Sequence, residues 1–184
     1  MTAQIGEQLR YQGEDVTMCT EPLADYFAMG GRKPEFQFNC TALWRAYVGR
    51  WEIVGGRLYL LKLTGTLMDG SVVSLESVFP GHPERVFAHW YTGTIRIPQG
   101  QRLHYRHMGY GSVYESDEML AFEQGVICCS WVQQNGQATP DDSKHHGYTA
   151  GSMTHFPSAR WANTHGAGGT EQGERRDHCG PGFP

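Results

Sequence analysis

The sequence predicts a mainly β, α+β domain, built as an antiparallel meander sheet or a partly open barrel with one short N-terminal helix. Three observations carry this reading. Runs of alternating, β-branched and aromatic residues recur from Leu43 to Gln134. Tight-turn pairs punctuate them at Gly55-Gly56, Asp69-Gly70, Gln99-Gly100 and Gln124-Gly125. Aromatic residues make up 12% of the chain, which suits a ring-rich β core.

Taken in order, "TEPLADYFAMGG" reads as the helix. Thr20 is its expected cap and Pro22 fits the first turn. Leu23, Tyr26 and Phe27 line one face, and Gly30-Gly31 ends it. "LWRAYVGRWEIVGGRLYLLKL", Leu43 to Leu63, is a hairpin about Gly55-Gly56. Counting outward from the turn sets Trp51 opposite Leu60 and Ile53 opposite Leu58. On the other face Glu52 meets Tyr59, Arg50 meets Leu61 and Val48 meets Leu63. "SLESVFPGHP" makes one helical turn ending at Pro80. "RVFAHWYTGTIRI" and "QRLHYRHM" are expected to form a hairpin about Gln99-Gly100. "VYESDEMLAF" and "VICCSWV" form another about Gln124-Gly125, and Asn135-Gly136 closes the last strand.

The 184 residues suit a single domain, placed at residues 5–135. From Gln133 to Pro184 there is no Ile, Leu or Val. Residues 136–184 therefore read as a low-complexity tail, disordered or draped on the surface, because apolar burial cannot offset the entropy of ordering them. The net charge of −4 gives no case for nucleic acid or a membrane surface as partner. No apolar run spans a bilayer, and Met1–Val16 has no signal-like apolar stretch, so a cytoplasmic protein is expected. Five cysteines without framework spacing read as free thiols.

The Gln99-Gly100 hairpin supplies the candidate binding residues. Pairing outward sets Arg102 opposite Ile97, His104 opposite Ile95 and Arg106 opposite Gly93. His89 and Tyr91 fall on the same face, and Gly93 leaves a gap beside Arg106. His89, Tyr91, Arg102, His104 and Arg106 thus form a candidate anion site, with Arg forks for phosphate or carboxylate and rings to stack on. The competing reading is a solvated cationic face. His104-x-x-His107 is no metal pair on a strand, where the two side chains point to opposite faces. No motif calls for a metal or a cofactor, and no residue stands out as catalytic.

Gly49-Arg50-Trp51 matches the Gly-x-Trp triplet of lipocalin-like barrels. That resemblance covers three residues and implies no function. A longer one spans residues 20–125, above all "FAHWYTGTIRIPQG" and "HMGYGSVYE". These stretches resemble an uncharacterised family of small bacterial conserved hypothetical proteins. The resemblance implies a compact bacterial cytosolic domain and brings no activity. The tail composition would suit a gene carried on a mobile element. The expected function is a non-catalytic binding or interaction module, accessory to stress or defence, whose partner is a small anionic ligand or a protein, a homo-oligomer included. The alternative is a small hydrolase or transferase acting on an anionic substrate, with His89 or His104 as base and Arg106 as anion clamp.

Overall fold

In the computed structural model, residues 2–137 are described. The elements run β1 (Glu7–Tyr11), β2 (Glu14–Met18), α1 (Pro22–Ala28), β3 (Tyr47–Val54), β4 (Arg57–Gly65), α2 (Leu75–Val78), β5 (Val86–Phe87), β6 (Gly93–His104), β7 (Val113–Glu123) and β8 (Val126–Gln134). The protein is mainly β. Its strands form one sheet in the order β2-β1-β3-β4-β8-β7-β6, with β5 paired to β4 off this path. The expected tail lies outside the described residues from position 138 on.

The sheet is mixed, which corrects the all-antiparallel expectation at one ladder. β1 pairs antiparallel with β2 but parallel with β3. The cause is an N-terminal hairpin that the sequence reading left without strands. Gln12 and Gly13, at φ 52° and 85°, make the two-residue turn that reverses β1 into β2. The chain then crosses through α1 and a long connection, and lays β3 on the other side of β1.

The β3–β4 hairpin has the expected register near its turn, with Trp51 opposite Leu60, Glu52 opposite Tyr59 and Ile53 opposite Leu58. Beyond it the expectation slips by one. Arg50 pairs with Lys62 and Val48 with Thr64, because a bulge lies between Arg50 and Trp51. Next to the bulge is Gly49, whose N–H donates to the Glu7 carboxylate.

The Gln99-Gly100 hairpin does not form. A two-residue turn of this kind needs positive φ at both positions, as at Gly55-Gly56 (58° and 74°) and Gln124-Gly125 (48° and 79°). At 99–100 only Gly100 has it. β6 therefore runs straight through, pairs with β7 and bulges between Gln99 and Arg102. Pro98 is tolerated inside β6 because that strand ends the sheet order.

α1 forms as read, with Pro22 in the first turn and Leu23 buried, but Thr20 does not cap it. The Thr20 hydroxyl instead accepts the Arg96 N–H at 3.1 Å and donates to the Thr94 carbonyl at 3.4 Å. Beside it the Cys19 N–H donates to the Arg96 carbonyl at 2.8 Å. These bonds tie the chain just past β2 to β6, although the sheet does not close. α2 is the expected single turn, held by reciprocal bonds between Ser74 and Ser77. Trp51, Leu58, Leu60, Ile95, Ile97 and Leu120 are among the fully buried side chains of the core.

The weakest seam lies between β4 and β8. They share one residue pair, Arg57 with Val126. It is flanked by Leu58 N–H to Gly125 O at 2.9 Å and Ile127 N–H to Gly56 O at 2.8 Å. Among the described residues no helix is long and apolar enough to cross a membrane.

Candidate functional site

The five sequence-selected residues are not brought together. Tyr91 is a core residue, 2% exposed, its ring 5.8 Å from that of Phe122. The space over Gly93 is filled by the Tyr91 ring, whose hydroxyl oxygen stands 3.2 Å from where a Cβ would be. Arg102 and His104 lie at the far end of β6, nine and eleven residues on from Gly93 and so roughly 30–35 Å away by strand rise. His89 precedes the near end.

The far end is an exposed basic and aromatic corner. The Arg102 guanidinium sits 4.9 Å from the Tyr105 ring centre, and the Tyr105 hydroxyl is 3.0 Å from His107 Nδ1. His104 pairs with Val113 at the end of β6, and the Arg106 N–H donates to the Ser112 hydroxyl. Arg102, His104, Arg106 and His107 are all exposed. Among the described residues no group of three His, Cys, Asp or Glu side chains could hold a metal ion.

His89 lines an open concavity of about 440 Å³ where β4 and β8 part, together with Arg57, Phe87, Glu123, Ile127 and Cys128. Arg57 lies over the Phe87 ring at 5.7 Å. A histidine, a carboxylate and a thiol thus share one hollow, but the histidine and the thiol are engaged elsewhere. His89 Nδ1 is 3.3 Å from the Phe87 carbonyl, and the Cys128 thiol donates to the Ala121 carbonyl at 3.3 Å. Among the described residues no hydrogen bond joins the histidine to the thiol, which a nucleophile–base pair requires.

A second concavity, about 260 Å³, is lined by Arg96, Ser112, Asp117 and Asn135. Its polar groups are satisfied. Arg96 donates to Asp117 and to the carbonyls of Tyr110 and Ser112, each at 2.8 Å, and Asn135 donates to the other Asp117 oxygen at 2.8 Å. This set pins the connection between β6 and β7.

Sequence reasoning missed the largest buried polar cluster. Glu7, fully buried, accepts from the Gly49 N–H, from Trp51 Nε1 at 3.0 Å and from Arg45 Nε at 2.6 Å. Arg45 Nη1 reaches Glu21 at 3.3 Å and donates to the Tyr110 hydroxyl at 2.9 Å, which itself donates to Glu21 at 2.7 Å. Burial pushes the Glu7 carboxyl up to about 7, against the pull of Arg45 and the donors around it. Burial likewise raises the Tyr47 and Tyr110 phenols. Arg45 Nη2 and the Tyr47 hydroxyl are buried without a hydrogen-bond partner among the described residues. The Gly-x-Trp triplet explains itself here: Gly49 and Trp51 each supply a donor, and a Cβ on Gly49 would collide with both Glu7 and the Trp51 indole.

The other feature that sequence reasoning passed over is the outer edge of β8. The Asn135 N–H donates to the Glu115 carbonyl at 2.9 Å, which fixes the alternation along the β7–β8 ladder. Cys129, Trp131 and Gln133 then turn their backbone groups toward β7, and Ser130, Val132 and Gln134 turn theirs outward. Past Arg57–Val126 no strand among the described residues takes them up. Trp131 is 44% and Val132 57% exposed. Trp90, by contrast, is buried, with its indole N–H on the Pro22 carbonyl at 2.9 Å. A signal was available: from Val126 to Gln137 there is no charged residue and no histidine. No family model, no curated protein and no solved structure matches this chain.

Proposed function

We propose that this chain is a non-catalytic interaction module whose working surface is the outer edge of β8, and that it takes up an extended protein strand there. The observation that carries the reading is the single-pair seam between β4 and β8. It leaves the outward N–H and C=O groups of Ser130, Val132 and Gln134 as a strand template. Trp131 and Val132 supply the exposed apolar surface beside it. A bacterial protein accessory to stress or defence would use such a module to assemble with a partner.

Amide hydrogen exchange on dilute protein tests this. Ser130, Val132 and Gln134 should exchange fast, while Cys129, Trp131 and Gln133, bonded to β7, exchange slowly. Uniform protection along β8 would remove the open edge and the proposal with it.

The hollow at the base of the same seam favours a second reading, a site for a small anionic ligand or substrate. Arg57 and His89 supply the positive side and Phe87 a ring. Phosphate should then raise the melting temperature of the wild type and not of Arg57→Ala. If the two respond alike, the hollow is no anion site.

A further inference from the structure

Building on the open-edge reading, we infer that the strand taken up by β8 is β8 of a second copy of this chain, paired antiparallel about a two-fold axis at Val132. The first argument is charge. A two-fold axis sets a strand against itself, so every charge near the axis faces a like charge or a close neighbour of one. The strands at the two ends of the sheet order are guarded against this: β2 carries Glu14 and Asp15, and β6 carries Arg96, Arg102 and Pro98. β8, "VICCSWVQQ", carries neither a charge nor a proline. It can lie against its own copy without electrostatic cost.

The second argument is hydrogen-bond parity. In an antiparallel ladder the bonded pairs exchange N–H and C=O groups, so both members must turn those groups outward. Centred on Val132, the pairing sets Val132 against the partner's Val132 and Ser130 against the partner's Gln134. All three positions have outward-turned backbone groups, so each outward donor and acceptor of this stretch finds its mate. On one face Val132 meets its own copy. On the other, Trp131 faces the partner's Gln133, and the exposed indole is covered. The contact is isologous, so it closes at two copies.

Sedimentation of the full chain over a wide concentration range tests the inference. The wild type should pass from one chain mass to two as concentration rises. Val132→Lys and Val132→Asp should each stay at one chain mass, because each sets like charges face to face, and an equimolar mixture of the two should recover the doubled mass. Val132 is largely exposed, so at concentrations where the wild type is a single chain both should keep its melting temperature. Val132→Pro, which removes one outward N–H and no bond to β7, should also stay single. A wild type that never exceeds one chain mass overturns the self-pairing. So do lysine and aspartate variants that still dimerise, or a mixture that does not recover. Amide exchange then separates the two ideas. A single chain with fast-exchanging Ser130 and Val132 keeps the open edge but assigns it another occupant. A single chain with both protected has covered the edge with its own residues, and the open-edge reading falls too.

Discussion

Glu7 has no solvent, three donors and one cationic neighbour, so its removal should cost far more than one side chain's packing. Glu7→Ala leaves the Gly49 N–H, the Trp51 indole and Arg45 unanswered in the interior. We expect a loss of about 3–5 kcal/mol in urea unfolding. Its titration gives a second expectation. The folded state holds the Glu7 proton up to about pH 7, and the unfolded chain releases it near the ordinary carboxyl value of 4.5. Stability from this group is therefore complete below the lower value and is lost as pH rises through the upper one. The urea midpoint should fall between pH 4.5 and 7, and in Glu7→Gln that part of the pH dependence should disappear; an unchanged profile would show that the three donors keep Glu7 ionised throughout. At this scale the sequence was half legible. Gly49-x-Trp51 stood out, but its acceptor lies 42 residues upstream in the chain. Nothing local to the triplet says that a carboxylate will meet it.

Secondary-structure elements with a self-contained signal were readable. The Gly55-Gly56 hairpin, the Gln124-Gly125 hairpin, α1 and the single turn of α2 each rest on contacts within a few residues. Trp51 opposite Leu60 belongs to this class, and Trp51→Ala should cost about 3–5 kcal/mol, as large-to-small core changes do. Retention of most of the stability would place Trp51 in a cavity instead. The misreadings occur where the same dipeptide has two outcomes. Gln-Gly reverses the chain at 12–13 and 124–125 but bulges a continuous strand at 99–100. The choice there is made by β7, which pairs with β6 on both sides of the bulge, and no local propensity encodes it. Thr20 shows the same override: a good capping residue is drawn to β6. Thr20→Val should cost about 1–3 kcal/mol by leaving the Arg96 N–H unpaired. Thr20→Asp separates the two roles, since it would stabilise a cap and should destabilise this seam.

Across the whole molecule, the two ends of β6 behave differently. Arg106 is exposed and, among the described residues, hydrogen-bonds through its backbone N–H to Ser112, so Arg106→Ala should change stability by no more than about 0.5 kcal/mol. Arg96 holds Asp117 and two carbonyls of the β6–β7 connection. Arg96→Ala should lower the melting temperature by many degrees, because it strands a carboxylate that is 6% exposed. A small effect would mean that the connection is held without it. The candidate site was the least legible part of the sequence. Five residues chosen for one face of a hairpin separate once the hairpin becomes a straight strand, and the surface that emerges is defined by missing charge. The seam between β4 and β8 also sets a valence. β2 and β6, the outermost strands, are tied to each other through Cys19 and Thr20, and β5 covers β4 at Tyr59 and Leu60. Among the described strands that leaves, on the open-edge proposal, one pairing stretch per molecule, residues 130–134 of β8. A body with two such stretches can grow without limit into a fibre; a body with one joins once and is finished.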